Sequence, residues 1–215
     1  MRPLSPLCVD LDGTLVCADT LHQSLLAWVK VNPMRALMAL FSIRKGKARF
    51  KQVVANGAPF DAAALPYRQD LLAWLRSERA SGRRLILATG ADAKIANAVS
   101  RHLGLFEAVI ASDGRINMTG ERKAREIRRY LNNAPFLYAG DSRSDMKIWA
   151  LSEAAIVMDP YPGRLTALQQ AGIPVMRTFA GRGSHAIFRP RIIFPVAFGL
   201  GAALLLFLLL RGPTA

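Results

Sequence analysis

Two aspartates separated by a single residue, in Val9-Asp10-Leu11-Asp12-Gly13-Thr14, are the side chains of this sequence best placed to do chemistry. They follow the apolar run Leu7-Cys8-Val9, so a strand end brings both carboxylates into one small pocket while Leu11 points away. Close carboxylates repel unless a cation or a shared proton lies between them. Magnesium, a hard ion that prefers oxygen ligands, is the natural partner. Gly13 permits a tight turn, and Thr14 can bond back to the loop. A second acidic pair, Asp141 and Asp145 in Gly140-Asp141-Ser142-Arg143-Ser144-Asp145, also follows an apolar run. One helical turn apart, these two can face the same ion. Asp-x-Asp alone is often only a turn; two such pairs at strand ends point to a metal-assisted site.

The elements that must position them are short apolar runs ending on small or polar residues: Leu7-Cys8-Val9, Leu85-Ile86-Leu87-Ala88, Ala108-Val109-Ile110, Phe136-Leu137-Tyr138-Ala139 and Ala155-Ile156-Val157-Met158. Helical patterns lie between the later ones, over 92–103 and 122–131. Continuous apolar strands alternating with helices predict a parallel sheet covered on both faces. In such sheets functional residues gather beyond the carboxyl ends of the strands, which is where Asp10, Thr89 and Asp141 fall. The segment 21–66 breaks the alternation. It reads as three helices, with Leu21, Leu25, Trp28 and Val29 on one face of the first and a break at Asn32-Pro33. The expected organisation is core over 1–18, a helical insertion over 19–68, core over 69–180, a basic linker over 181–191 and a membrane helix over 192–210.

These residues resemble the haloacid dehalogenase-like hydrolase superfamily, whose four motifs fall in order over 7–157. The first is Val9-Asp10-Leu11-Asp12-Gly13-Thr14-Leu15. The second ends the strand Leu87-Ala88-Thr89-Gly90. The third is a lysine, assigned to Lys123 with Arg122 and Arg125 as rivals, and the fourth runs from Gly140-Asp141 to Asp145. The resemblance implies a Rossmann-like α/β parallel sheet with a small helical type-1 cap. Three stretches are also similar to the hydrolase-like domain fused to UbiA-family membrane prenyltransferases: Asp19-Thr20-Leu21-His22-Gln23-Ser24-Leu25, Leu103-Gly104-Leu105-Phe106 and Tyr138-Ala139-Gly140-Asp141-Ser142. One apolar segment is too few for a prenyltransferase, so that activity does not carry over.

The mechanism the resemblance implies is phosphoryl transfer. Asp10 would attack phosphorus and form an aspartyl-phosphate, and Asp12 would protonate the leaving oxygen and then activate water. Thr89 and Gly90 would bind the phosphoryl group, with Lys123 supplying a fixed positive charge. Magnesium would be held by Asp10, the backbone carbonyl of Asp12, Asp141 and, directly or indirectly, Asp145. Asp113 is expected in a turn, and His22, His102 and His185 share no metal-site spacing. The expected activity is hydrolysis of a lipid-linked or small organic phosphate. Transfer to another acceptor, or a non-catalytic role beside a prenyltransferase-type membrane partner, are the alternatives.

Composition sets the surroundings. The chain of 215 residues has 29 Lys+Arg against 15 Asp+Glu, a net charge of +14, which favours an anionic partner. Zinc-finger spacing and RNP-type aromatic motifs are absent, so nucleic acid is not the expected partner. Two cysteines build no disulfide framework and suit a reducing compartment. The amino-terminal stretch has no secretory pattern. Residues 192–210 carry no charge and would span roughly 28 Å as a helix, close to the hydrocarbon thickness of a bilayer. Arg182, Arg189 and Arg191 precede them, which predicts a single-pass protein of the inner membrane with its catalytic domain in the cytoplasm. The basic run Arg44-Lys45-Gly46-Lys47-Ala48-Arg49-Phe50-Lys51 is either a solvated helix face or a surface for anionic headgroups.

Overall fold

The computed structural model describes residues 4–180. Six parallel strands form one sheet: β1 (Leu7–Val9), β2 (Leu85–Asp92), β3 (Ala108–Ser112), β4 (Leu137–Gly140), β5 (Ala154–Met158) and β6 (Val175–Phe179). Their order is β3-β2-β1-β4-β5-β6. The chain winds outward from β1 through β2 to β3, then returns to place β4 on the other side of β1. The reversal falls between β1 and β4, where Val9 pairs with Ala139. Side loops diverge there and leave a crevice at the strand ends.

Strands β1 to β5 read as apolar runs because both faces are covered, yet their side chains still alternate. Leu7 and Val9, Leu85 and Leu87, Ile156 and Met158 pack into one layer with α4 (Gln69–Ala80) and α5 (Ala93–Leu103). Cys8, Ile86, Tyr138, Ala155 and Val157 face the other layer, formed with α6 (Glu121–Tyr130), α7 (Met146–Trp149) and α8 (Pro162–Gln170).

Between β1 and α4 lie α1 (Thr20–Val31), α2 (Pro33–Ala39), a 3-10 turn (Leu40–Lys45) and α3 (Lys47–Gly57). They surround their own small cluster of Trp28, Ala36, Ala39, Val54 and Ala58. Val29, expected to share the inward face of α1, is exposed instead. At the root of this insertion the two passing chains are tied together. Cys17 N donates to Pro66 O (2.9 Å) and Arg68 N to Leu15 O (3.0 Å).

Among the described residues no helix is long and apolar enough to cross a membrane. The expected linker and membrane segment, 181–191 and 192–210, lie outside the described residues.

The two thiols have opposite fates. Cys8 is buried in β1, and loss of solvent pushes its pKa up to about 12, whereas Cys17 is exposed. At pH 8 an aromatic disulfide reagent is therefore expected to titrate Cys17 alone, with Cys8 reacting only in denaturant. The unfolded thiol loses its proton first. Cys8 thus contributes stability that is complete below its unfolded pKa and declines through the alkaline range, at about 1.4 kcal/mol per pH unit. Equal reaction of both thiols in the native chain would contradict this packing.

Candidate active site

Asp10 is the first residue past β1, and its N–H donates to Ala139 O of β4 (3.0 Å). That bond fixes the nucleophile candidate to the strand on the far side of the crevice. Its Oδ1 accepts from Leu11 N (2.8 Å) and its Oδ2 from Lys123 Nζ (2.9 Å). Lys123 projects inward from α6 on the same face as Ala124 and Ile127, while Arg122 and Arg125 are exposed. Of these three cations, Lys123 is the one whose ammonium reaches the Asp10 carboxylate.

Carboxylate oxygens of Asp10, Asp141 and Asp145 lie within 4.8 Å of one another. Asp145 Oδ2 accepts from Asp141 N (3.2 Å), Ser142 N (2.8 Å) and Ser142 Oγ (2.7 Å). Its Oδ1 accepts from Tyr138 OH at 3.0 Å and sits 3.6 Å from Lys123 Nζ. Asp145 thus pins the loop that carries Asp141, and its partners are Lys123 and Tyr138 rather than an arginine. Burial pushes the Asp10 carboxyl above its ordinary range; Lys123 opposes this and Asp145 adds to it. Burial alone would depress the Lys123 ammonium, but Asp10 and Asp145 outweigh it and hold its pKa high.

Three carboxylates around one ammonium leave an excess of negative charge in a buried place. The donors are all hard oxygens, and the set fits a small divalent cation such as Mg2+. Gly13 leaves room for the Asp141 carboxylate. At φ +75° a Cβ on Gly13 would stand 2.3 Å from Asp141 Oδ2. Gly13→Ala is expected to cost roughly 1–3 kcal/mol and to shrink the thermal stabilisation gained from Mg2+. Melting curves with Mg2+ and with chelator test this, and unchanged curves would refute the close approach.

Asp12 is turned away from this cluster. Its Oδ1 accepts from Thr20 N at the start of α1 (2.8 Å). Its carboxylate is not among the clustered oxygens, so a cation held there would meet Asp12 through its backbone rather than its side chain. The carboxylate lines a small cleft with Asp19, Thr20, Lys51, Asp92 and Ile95. Burial pushes its pKa up to about 7, with Asp19 and Asp10 adding and the Thr20 amide opposing. A carboxyl there can hold a proton and give it up near neutrality.

Thr89 and Gly90 follow Leu87, the partner of Val9, so β2 carries them alongside Asp10. Thr89 Oγ1 accepts from Ala91 N (3.0 Å), which leaves its hydroxyl proton for another acceptor. The cap of α5 is Asp92, not Thr89. Gly90 O accepts from Ser112 Oγ (2.8 Å) and from Lys51 Nζ (2.5 Å). Asp113 is a turn residue, accepting from Arg115 N and Ile116 N. His102 stacks on Tyr67, with ring centroids 5.8 Å apart.

Two side chains escaped the sequence reading. Lys51, lost in the basic run, reaches from α3 to Gly90 O and to Asn117 Oδ1 (2.9 Å). Burial lowers its pKa, against the pull of Asp12, Asp19 and Asp10. Helical spacing was the available signal, because Ala48, Lys51 and Ala55 share the inward face while Lys47 and Arg49 do not. Arg68 has no local signal. Its guanidinium donates to Thr14 O (3.2 Å) and to Asp159 Oδ2 (2.7 Å), bracing the loop after Asp10.

Fold and site together define an α/β protein with a lysine-compensated acidic cluster at the reversal of its sheet. The sequence model of the haloacid dehalogenase-like hydrolases matches residues 7–149, and the chain belongs to that family. A Sinorhizobium fredii protein, "Uncharacterized protein y4nM", is 34% identical over 182 residues. The match takes in 85% of this chain but 35% of that protein, so the chain spans about a third of its relative's length. Among solved structures, a protein of unknown function from Bordetella pertussis Tohama I has a TM-score of 0.61 at 20% identity, covering 81% of this chain and 98% of that one. Phosphoserine phosphatase in its apo form has a TM-score of 0.55 at 12% identity, over 83% of this chain and 94% of that one. A phospho-aspartyl intermediate analogue of phosphoserine phosphatase has a TM-score of 0.52 at 13% identity, over 84% and 95%. These likenesses concern the fold.

Proposed function

We propose that this chain is a Mg2+-dependent phosphomonoesterase working through an aspartyl-phosphate on Asp10. The observation that carries the reading is the Asp10–Lys123 contact inside the acidic cluster, with a proton-holding Asp12 beside it. A carboxylate oxygen of Asp10 forms the new bond to phosphorus while the ester oxygen leaves and takes the Asp12 proton. Water then attacks phosphorus, Asp12 takes its proton, and inorganic phosphate departs with Asp10 restored. Lys123 and the Thr89 hydroxyl meet the charge that builds on the phosphoryl oxygens. Mg2+ bound by Asp10 and Asp141 would offset the repulsion between carboxylate and phosphate. Asp145 acts on this through the loop it pins.

Phosphate release from a panel of soluble and lipid phosphates, with Mg2+ and with chelator, tests the reading. Inert wild type across a broad panel would sink it. Within phosphomonoesters we favour a lipid-linked or small organic phosphate. The support is the sequence likeness to the domain fused to UbiA-family prenyltransferases and the uncharged run 192–210, which fits an inner-membrane anchor with the site on the cytoplasmic side.

Lys51 supplies this reading with a cation from the insertion, in the cleft the leaving group would occupy. Lys51→Met is expected to raise KM about tenfold or more while kcat changes less, as loss of a charged contact to substrate would do. A loss confined to kcat would instead tie Lys51 to the proton transfers.

A further inference from the structure

Along α2 and the 3-10 turn after it, the helical insertion wears most of its large apolar side chains outward. In α2 and the 3-10 turn after it, the buried positions are Ala36 and Ala39, while Met34, Leu37, Met38 and Phe41 are exposed. Their spacing, i, i+3, i+4 and i+7, makes one continuous stripe. Exposure reaches 60% at Met34, 62% at Met38 and 54% at Phe41. Eight of the fifteen large apolar side chains exposed among the described residues fall between Leu26 and Ile43. Scattered exposed apolar residues need no explanation, but a concentrated stripe does.

Charge says what covers it. Between Asp19 and Asp61 the sequence contains no acidic residue. Lys30, Arg35, Arg44, Lys45 and Lys47 are all exposed there. The Arg44 guanidinium stands over the Phe41 ring, 5.9 Å from its centroid. A second copy meeting this face across a two-fold axis would bring the same cations together, which repels. A layer of anionic headgroups over hydrocarbon complements both features, with cations level with phosphates and apolar side chains below them.

We propose that the face formed by α2 and the following 3-10 turn docks on an anionic lipid bilayer. The proposal rests on this surface alone and stands whether or not the phosphatase reading holds.

The test uses the full chain with Cys17→Ser and Met38→Cys, the new thiol carrying a solvent-sensitive fluorophore; buried Cys8 stays unlabelled. The chain is reconstituted in vesicles of phosphatidylcholine alone or mixed with phosphatidylglycerol. In the mixed vesicles the fluorophore is expected to shift to the blue and to be quenched by spin-labelled lipid. Adding Arg44→Glu and Lys45→Glu is expected to lower the docked-to-undocked ratio on the order of tenfold or more. Because that ratio is read at position 38, a chain held to the vesicle elsewhere does not mask it. Circular dichroism and continued protection of Cys8 show that the variants are folded. Three results would overturn the proposal: an aqueous spectrum in mixed vesicles, equal quenching in both compositions, or a blue shift without lipid that grows with protein concentration.

Discussion

Replacing Asp10 with asparagine is expected to lower Mg2+-dependent phosphate release by at least about a thousandfold. The amide oxygen is a poor nucleophile, and no neighbouring carboxylate is placed to substitute for it. Asp12 is turned toward Thr20, Asp145 is held by backbone and hydroxyl donors, and Asp141 lies across the crevice at the end of β4. The same substitution should raise the melting temperature of the chain in chelator. Three clustered carboxylates face one ammonium, so removing one charge relieves repulsion even though Lys123 loses a partner. With Mg2+ present the gain should shrink, because the variant binds the cation more weakly and binding is what stabilises the wild type. Activity and calorimetry on the same preparations check both halves. Retained turnover would remove Asp10 from the mechanism, and a lowered melting temperature in chelator would mean that its pairing with Lys123 outweighs the crowding.

Lys123→Met has the larger structural effect. Nearly all of the lysine is buried, and its ammonium is shared between Asp10 at 2.9 Å and Asp145 at 3.6 Å. Removing one side of a buried charge set typically costs about 3–5 kcal/mol, because the remaining charges are left without compensation. The variant should unfold at markedly lower urea in chelator, regain more stability from Mg2+ than wild type does, and be inactive. Lys123→Arg should not restore activity, since a planar guanidinium needs more room than the compact ammonium beside the Tyr138 ring. Urea midpoints with and without Mg2+ decide the matter; coincident midpoints for variant and wild type would show that Lys123 carries no structural charge.

How far the sequence revealed all this depended on where each signal lives. Strands β1 to β5 were legible because each is covered on both faces and so is written as an unbroken apolar run. Strand β6 was not, since Val175 and Met176 are exposed at the sheet edge and Arg177 lies over Trp74. Helix α8 escaped for a similar reason, with Leu168 its one fully covered position. Asp10 and Asp141 could be grouped because strand ends converge in a parallel sheet. The choice of Lys123 over its neighbours needed the helical period, which also puts Ala124 and Ile127 inward. The direction of the Asp12 carboxylate depends on an amide across a turn, and the reach of Arg68 on a partner at Asp159. Neither relation leaves a trace in the local order of residues.

The tie at the root of the insertion has a consequence for how such a chain can change. Cys17 and Pro66, and Leu15 and Arg68, are hydrogen-bonded neighbours, so everything between them is an excursion that leaves the core and returns to the same spot. Closing a loop of fixed ends becomes only slowly costlier as the loop lengthens. Away from the root, the hydrogen bonds that tie the helices of the excursion to the core include those of Thr20, Lys51 and Gln52. Rewriting the rest would leave the register of β1 against β2 and β4 intact, and with it the positions of Asp10, Thr89 and Asp141. The insertion can therefore drift in sequence and length without moving the strand ends that carry the acidic cluster.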